Sequence, residues 1–154
     1  MKSRRLNNKK FKFWQQWLFY SSLLFALFGL TLAFFGDNPV YDPYHKMLAQ
    51  IFFSQSFFPA NTQVLYSFIL GPMGATITGS YLLLTYIAYF PFRRKEKWAR
   101  NAIIVAFGIW FITDAIVGLY YGVYFQVLVL HLLVSVPQKA LPLIFTWNDF
   151  NRES

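Results

Sequence analysis

Inside the long apolar stretches of this 154-residue sequence stand one acidic side chain, Asp114, and one histidine, His131. An ionisable group in such surroundings is costly and normally faces a partner or a water-filled cavity. A carboxylate and an imidazole can do three kinds of work there. They can lock two helices together by a structural hydrogen bond. They can line a pocket for a small or lipid-like molecule. They can act as orienter and base in a proton-coupled or catalytic site, which then needs a nucleophile. Only Thr113 and Ser135 stand near enough in sequence for that last role.

The spacing favours a meeting of the pair. Tyr121-Gly122-Val123 reads as a tight turn between two apolar runs. Asp114 lies about eight residues before that turn and His131 about nine after it, so at about 1.5 Å per residue they reach the same depth of an antiparallel pair. Trp110 and Thr113 precede Asp114, while Ser135 and Gln138 follow His131 at i+4 and i+7 and continue a polar line. Counting along the other two apolar runs brings Gly71, Pro72 and Gly29 to a similar level. Pro72 has no amide hydrogen, which leaves the Phe68 carbonyl without its helical partner. The expected site is an outer-half pocket of Asp114, His131, Trp110, Thr113, Ser135, Gly71, Pro72 and Gly29, roofed by residues 43–53. The sequence holds no HExxH, no cysteine and no phosphate loop with its lysine. Neither a metal nor a cofactor is expected.

The elements that must position these groups follow from composition. Charged residues make up 13% of the chain, against about 25% in a soluble domain. Hydrophobic residues make up 56% and aromatics 22%. So few charges cannot cover a soluble domain, which excludes an ordinary soluble enzyme, a disordered chain and a disulfide scaffold. A single integral membrane domain is expected, with spans at about 14–36, 63–90, 99–120 and 124–146. The first run is too long for a signal-peptide core and carries no small-x-small cleavage site. The last run must continue through Pro137, because the stretch before it is too short to cross the hydrocarbon core. Pro72 predicts a kink in the second.

Between the first two spans, Asp42-Pro43 reads as a helix cap followed by a first-turn proline. Tyr44, Met47, Leu48, Ile51 and Phe52 then form an apolar side, with His45, Lys46, Ala49 and Gln50 opposite. The fold class is all-α: a four-helix transmembrane bundle with a short amphipathic interfacial helix, 43–53, in the first extracytoplasmic loop. Helices in lipid associate through close backbone approach, so small residues mark the seams. Ala26, Gly29 and Ala33 in the first span, and Gly71, Ala75 and Gly79 in the second, have that spacing, with Gly74 and Thr78 beside them.

Eleven of the 14 basic residues fall into two clusters: Lys2, Arg4, Arg5, Lys9, Lys10 and Lys12, then Arg93, Arg94, Lys95, Lys97 and Arg100. Long apolar runs separate them, the positive-inside pattern. It predicts a basic cytoplasmic tail over 1–13 and both termini in the cytoplasm. A net charge of +8 could also indicate nucleic acid, but the aromatics lie within the apolar runs and not in a basic groove, so no nucleic-acid partner is expected. Anionic headgroups at the cytoplasmic face are the natural partners.

From Leu70 to Phe145 the sequence resembles a group of uncharacterised small bacterial inner-membrane proteins with four helices. The resemblance is carried by Gly71, Gly74, Gly79, the Pro91–Trp98 loop, Asp114, Tyr120-Tyr121-Gly122 and Pro142. It implies a four-helix membrane fold and attaches no activity. The expected function is an integral membrane binding or accessory protein holding a small apolar or lipid-like ligand near Asp114 and His131. Two alternatives stay open: a small membrane enzyme acting on a lipid or quinone-like substrate, and a proton-coupled transporter subunit. The last would need a homo-oligomer or a membrane partner, since four short helices enclose little aqueous volume.

Overall fold

A computed structural model describes residues 2–150, with side chains for residues 8–150. The chain is all-helical, and no strand occurs among the described residues. Helix α1 covers Lys2–Phe35, α2 Asp42–Phe53, α3 Ala60–Tyr89 and α4 Lys97–Tyr120. A π-helical stretch, Gln126–Ser135, runs directly into α5, Val136–Thr146, and a final 3-10 turn, Trp147–Asp149. Among the described residues, four stretches are long and apolar enough to cross a membrane: Asn8–Phe35, Ala60–Tyr89, Lys97–Tyr120 and Gln126–Asp149.

The basic segment expected as a tail is part of α1, which starts at Lys2. Residues 2–13 contain no glycine or proline and are rich in lysine and arginine, good helix formers, so the helix extends through them. The fourth stretch passes Pro137 without interruption. Pro137 sits in the first turn of α5, where its fixed φ suits a helix, and the amide of Val136 closes a wide turn onto the His131 carbonyl.

Two compact units can be described: Met1–Leu23 with Leu82–Ser154, and Leu24–Tyr81. Helices α1 and α3 each contribute a segment to both. The core of the first unit contains Phe11, Leu18, Ala88, Phe92, Ala99, Ile103, Leu143 and Phe150. Phe11, Phe92 and Phe150 meet pairwise at ring-centroid distances of 6.0, 6.0 and 4.9 Å. Pro91 has no amide to give, and the Phe92 amide turns to the Ile87 carbonyl, so the Ala88 carbonyl is left open at the end of α3. Gln15 of α1 donates its side-chain amide to that oxygen at 3.0 Å, joining the two helices. Gln138 of α5 donates to the hydroxyls of Ser21 and Ser22 on α1 at 2.9 and 3.2 Å. Arg100 is buried with its guanidinium over Trp147, 4.1 Å from the ring centroid.

In the second unit the helices approach closely at glycine. A Cβ on Gly74 would lie 2.5 Å from the Gly29 carbonyl oxygen and from the Ala33 amide nitrogen. Thr78 reinforces the seam by donating to the Ala26 carbonyl at 3.2 Å. Ala26, Gly29 and Ala33 therefore do face α3, but the α3 residues they meet are Gly74 and Thr78. The Gly71, Ala75, Gly79 row expected there is a correction: Ala75 and Gly79 are exposed, and a Cβ on Gly71 or Gly79 would meet nothing within 4 Å. The segment holds two rows of small residues, and the row that carries a hydroxyl able to bond across the seam is the one used.

Helix α2 covers the predicted 43–53 segment with a different face. Leu48 and Ala49 are its buried residues, while Ile51 and Phe52 are exposed. The small side chain of Ala49 lets the helix pack closely where an apolar stripe alone does not. His45, placed on the polar side by its spacing, lies half-buried with its ring 5.2 Å from that of Tyr66, and burial lowers its pKa against the opposing pull of Asp42 and Asp37. The cap also differs. Asn38 accepts from the Val40 amide at 3.1 Å and starts a 3-10 turn, Pro39–Tyr41, that leads into α2.

The seam makes a contrast that thermal melts in detergent can check. Gly74→Ala forces a methyl group against backbone on both sides and should destabilise by about 1–3 kcal/mol. Gly79→Ala, with open space around it, should leave the melting temperature unchanged or raise it.

Candidate functional site

Helix α4 carries Asp114 and the π-helical stretch carries His131; the turn between them sets their register. Gly122 adopts φ 73°, a left-handed conformation that lets the chain reverse. Gly118 gives the room beside it, since a Cβ there would stand 2.9 Å from the Val127 side chain. The reversal brings His131 Nε2 to 2.7 Å from Asp114 Oδ2. Gln126 Nε2 donates to the same oxygen at 2.8 Å. One carboxylate oxygen thus accepts from two side chains of the facing helix.

His131 is 4% exposed, and the Asp114 side chain is 31% exposed. The imidazole packs on Trp110 at 4.9 Å and on Phe111 at 5.9 Å between ring centroids. Its other nitrogen, Nδ1, meets no donor or acceptor of the protein. With Nε2–H donating to the carboxylate, a neutral imidazole presents Nδ1 as a bare lone pair. The arrangement can orient an imidazole and offer that nitrogen to a hydrogen-bond donor or a proton.

Of the residues expected at the site, Asp114, His131 and Trp110 meet. Ser135 is buried one turn beyond His131, and Gln138 and Lys139 are buried further along the same face. Thr113 is exposed. Gly29, Gly71, Pro72 and the 43–53 helix belong to the second unit, where Gly29 packs on Gly74 and Thr78. No hydroxyl hydrogen-bonds to His131, so neither Thr113 nor Ser135 completes a nucleophilic triad in this geometry. No group of three or more His, Cys, Asp or Glu side chains that could hold a metal ion occurs among the described residues.

Two members of the site escape a reading based on regular α spacing. Gln126 lies five residues before His131, a separation that shares a face only when the turn widens to the π form. A lysine near the end of a span ordinarily extends to the nearby interface, which for Lys139 is the inner one. Lys139 is instead 6% exposed, with its nitrogen 4.6 Å from the Phe107 ring centroid and 5.7 Å from that of Trp110. The aromatic rings of α4 provide a cation–π surface that competes with that reach.

A double-mutant cycle of Asp114→Ala and His131→Ala should give a coupling energy of about 0.5–3 kcal/mol in chemical or thermal unfolding. Additive losses would mean that the contact contributes nothing.

No family model, no curated protein and no solved structure matches this chain.

Proposed function

We propose that the protein is an integral membrane binding or accessory protein that holds a small apolar or lipid-like molecule against the Asp114–His131 pair. The carrying observation is the buried, unpartnered Nδ1 of an imidazole whose other nitrogen is held by a carboxylate. Buried polar atoms are ordinarily satisfied, and an open acceptor costs about 1–3 kcal/mol. A hydroxyl-bearing apolar molecule would satisfy it, with its chain on the exposed apolar surface of the spans, where Ile109 and Leu133 are 64% and 70% exposed. Such exposure of large apolar side chains along four long helices supports insertion in a bilayer. In this reading the two basic clusters lie at the cytoplasmic face of a bacterial inner membrane and α2 rests at the outer interface.

The buried polar line of His131, Ser135, Gln138 and Lys139 favours a second reading, a subunit of a proton-coupled transporter. One experiment separates the two. The protein is purified from native membranes, and co-purified small molecules are identified by mass spectrometry for wild type, Asp114→Asn and His131→Phe. The binding reading predicts a hydroxyl-bearing amphiphile with wild type, retained by Asp114→Asn and lost from His131→Phe. Equal recovery from all three, or none from any, contradicts it. Proton coupling instead predicts that Asp114→Asn abolishes proton uptake by vesicles containing the protein and any partner that co-purifies.

A further inference from the structure

A second site lies within the first unit, away from the residues of the Asp114–His131 pair in sequence and in lining. A half-open cleft of about 470 Å³ is formed by α1 together with the end of α3 and the loop after it. Its volume is in the range of about 300–1,000 Å³ that holds small ligands. Lys12 and Gln16, one turn apart on α1, line one wall; Tyr89 and Arg93 line the other, and Tyr20 adds a phenol. The Arg93 guanidinium lies 5.8 Å from the Tyr89 ring centroid. Gln15 is buried between the walls and fixed by its hydrogen bond to the Ala88 carbonyl. No acidic residue lines the cleft among the described residues. The nearest in sequence to Arg93, Glu96, is engaged by Arg94 at 2.7 Å and by the Trp98 indole at 2.6 Å.

Two cations and two amides, with no carboxylate among the described lining residues, make a site for an anion. Aromatic walls at the point where apolar helices pass into basic sequence select an amphiphilic one. On α3, leading away from the cleft, Leu83 and Tyr86 are 63% and 66% exposed, an apolar surface on which an acyl chain can lie. We infer that this cleft binds the phosphodiester headgroup of an anionic phospholipid. Lys12 and Arg93 contact the phosphate from opposite walls, and the Gln16 amide and Tyr20 hydroxyl donate to its oxygens or to the glycerol beyond. The site does not depend on the ligand proposed at His131.

Native mass spectrometry of the full chain in detergent tests this, with phosphatidylglycerol, phosphatidylcholine and inorganic phosphate as probes. Wild type should bind phosphatidylglycerol about tenfold or more tighter than phosphatidylcholine, and millimolar phosphate should not displace it. The Lys12→Gln, Arg93→Gln double variant should lose about 25-fold, from about fivefold for each charge. Lys9→Gln, Lys10→Gln removes the same charge from the same helix outside the cleft and should change affinity by less than about threefold. Unaltered melting temperatures show that each variant is folded. Equal binding of the two lipids, equal loss in the control variant, or displacement by phosphate overturns the assignment. His131→Phe should leave phosphatidylglycerol binding intact, so the two sites stand or fall separately.

Discussion

Helices this apolar offer a polar group few partners, so a partner on a neighbouring helix is strongly favoured. That constraint explains most of the contacts that define the structure. The Asp114 carboxylate takes two donors from the facing helix on one oxygen. The carbonyl left open by Pro91 takes the Gln15 amide. The Ser21 and Ser22 hydroxyls take Gln138, and Thr78 spends its hydroxyl on the Ala26 and Gly74 carbonyls. Each pairing ties one helix to another or closes a helix end. Apolar packing alone does not choose among the many ways such helices could associate, whereas directional hydrogen bonds do.

Close approach is the second constraint, and it works with the first. Gly29 and Gly74 allow backbones to come near enough for Thr78 to reach across, and Gly118 leaves room for the Val127 side chain beside the turn that aligns Asp114 with His131. The π-helical stretch is part of this alignment. Its wider turn puts Gln126 and His131 on one face and lets Val127, His131 and Ser135 be buried together. The irregularity lies where the polar site lies, a common association for π-helical segments.

Much of this was legible in the residues. Length, hydropathy and turn residues give four apolar helices and a fifth short one close to where they occur, and counting outward from Gly122 gives the Asp114–His131 meeting. The remainder depended on choices that pattern cannot make. GPMGATITG contains two candidate seams, and only the position of the Ala26 carbonyl decides for Gly74 and Thr78. Apolar periodicity assigned His45 to the outside of α2, whereas the small size of Ala49 governs which face packs. Lys139 had two favourable destinations, water and aromatic rings, and the nearby Phe107 and Trp110 decided for the second. Gln126 was hidden by the assumption of regular α spacing.

The account rests on His131 holding its hydrogen on Nε2, toward Asp114, and presenting Nδ1 open. Nitrogen NMR of the protein with labelled histidine, reconstituted in lipid, reads this directly. The prediction is a neutral His131 with Nε2–H, whose Nδ1 signal moves on addition of dodecanol and no longer does so in Asp114→Ala. A hydrogen on Nδ1, or an Nδ1 signal indifferent to both the alcohol and the loss of Asp114, would contradict it.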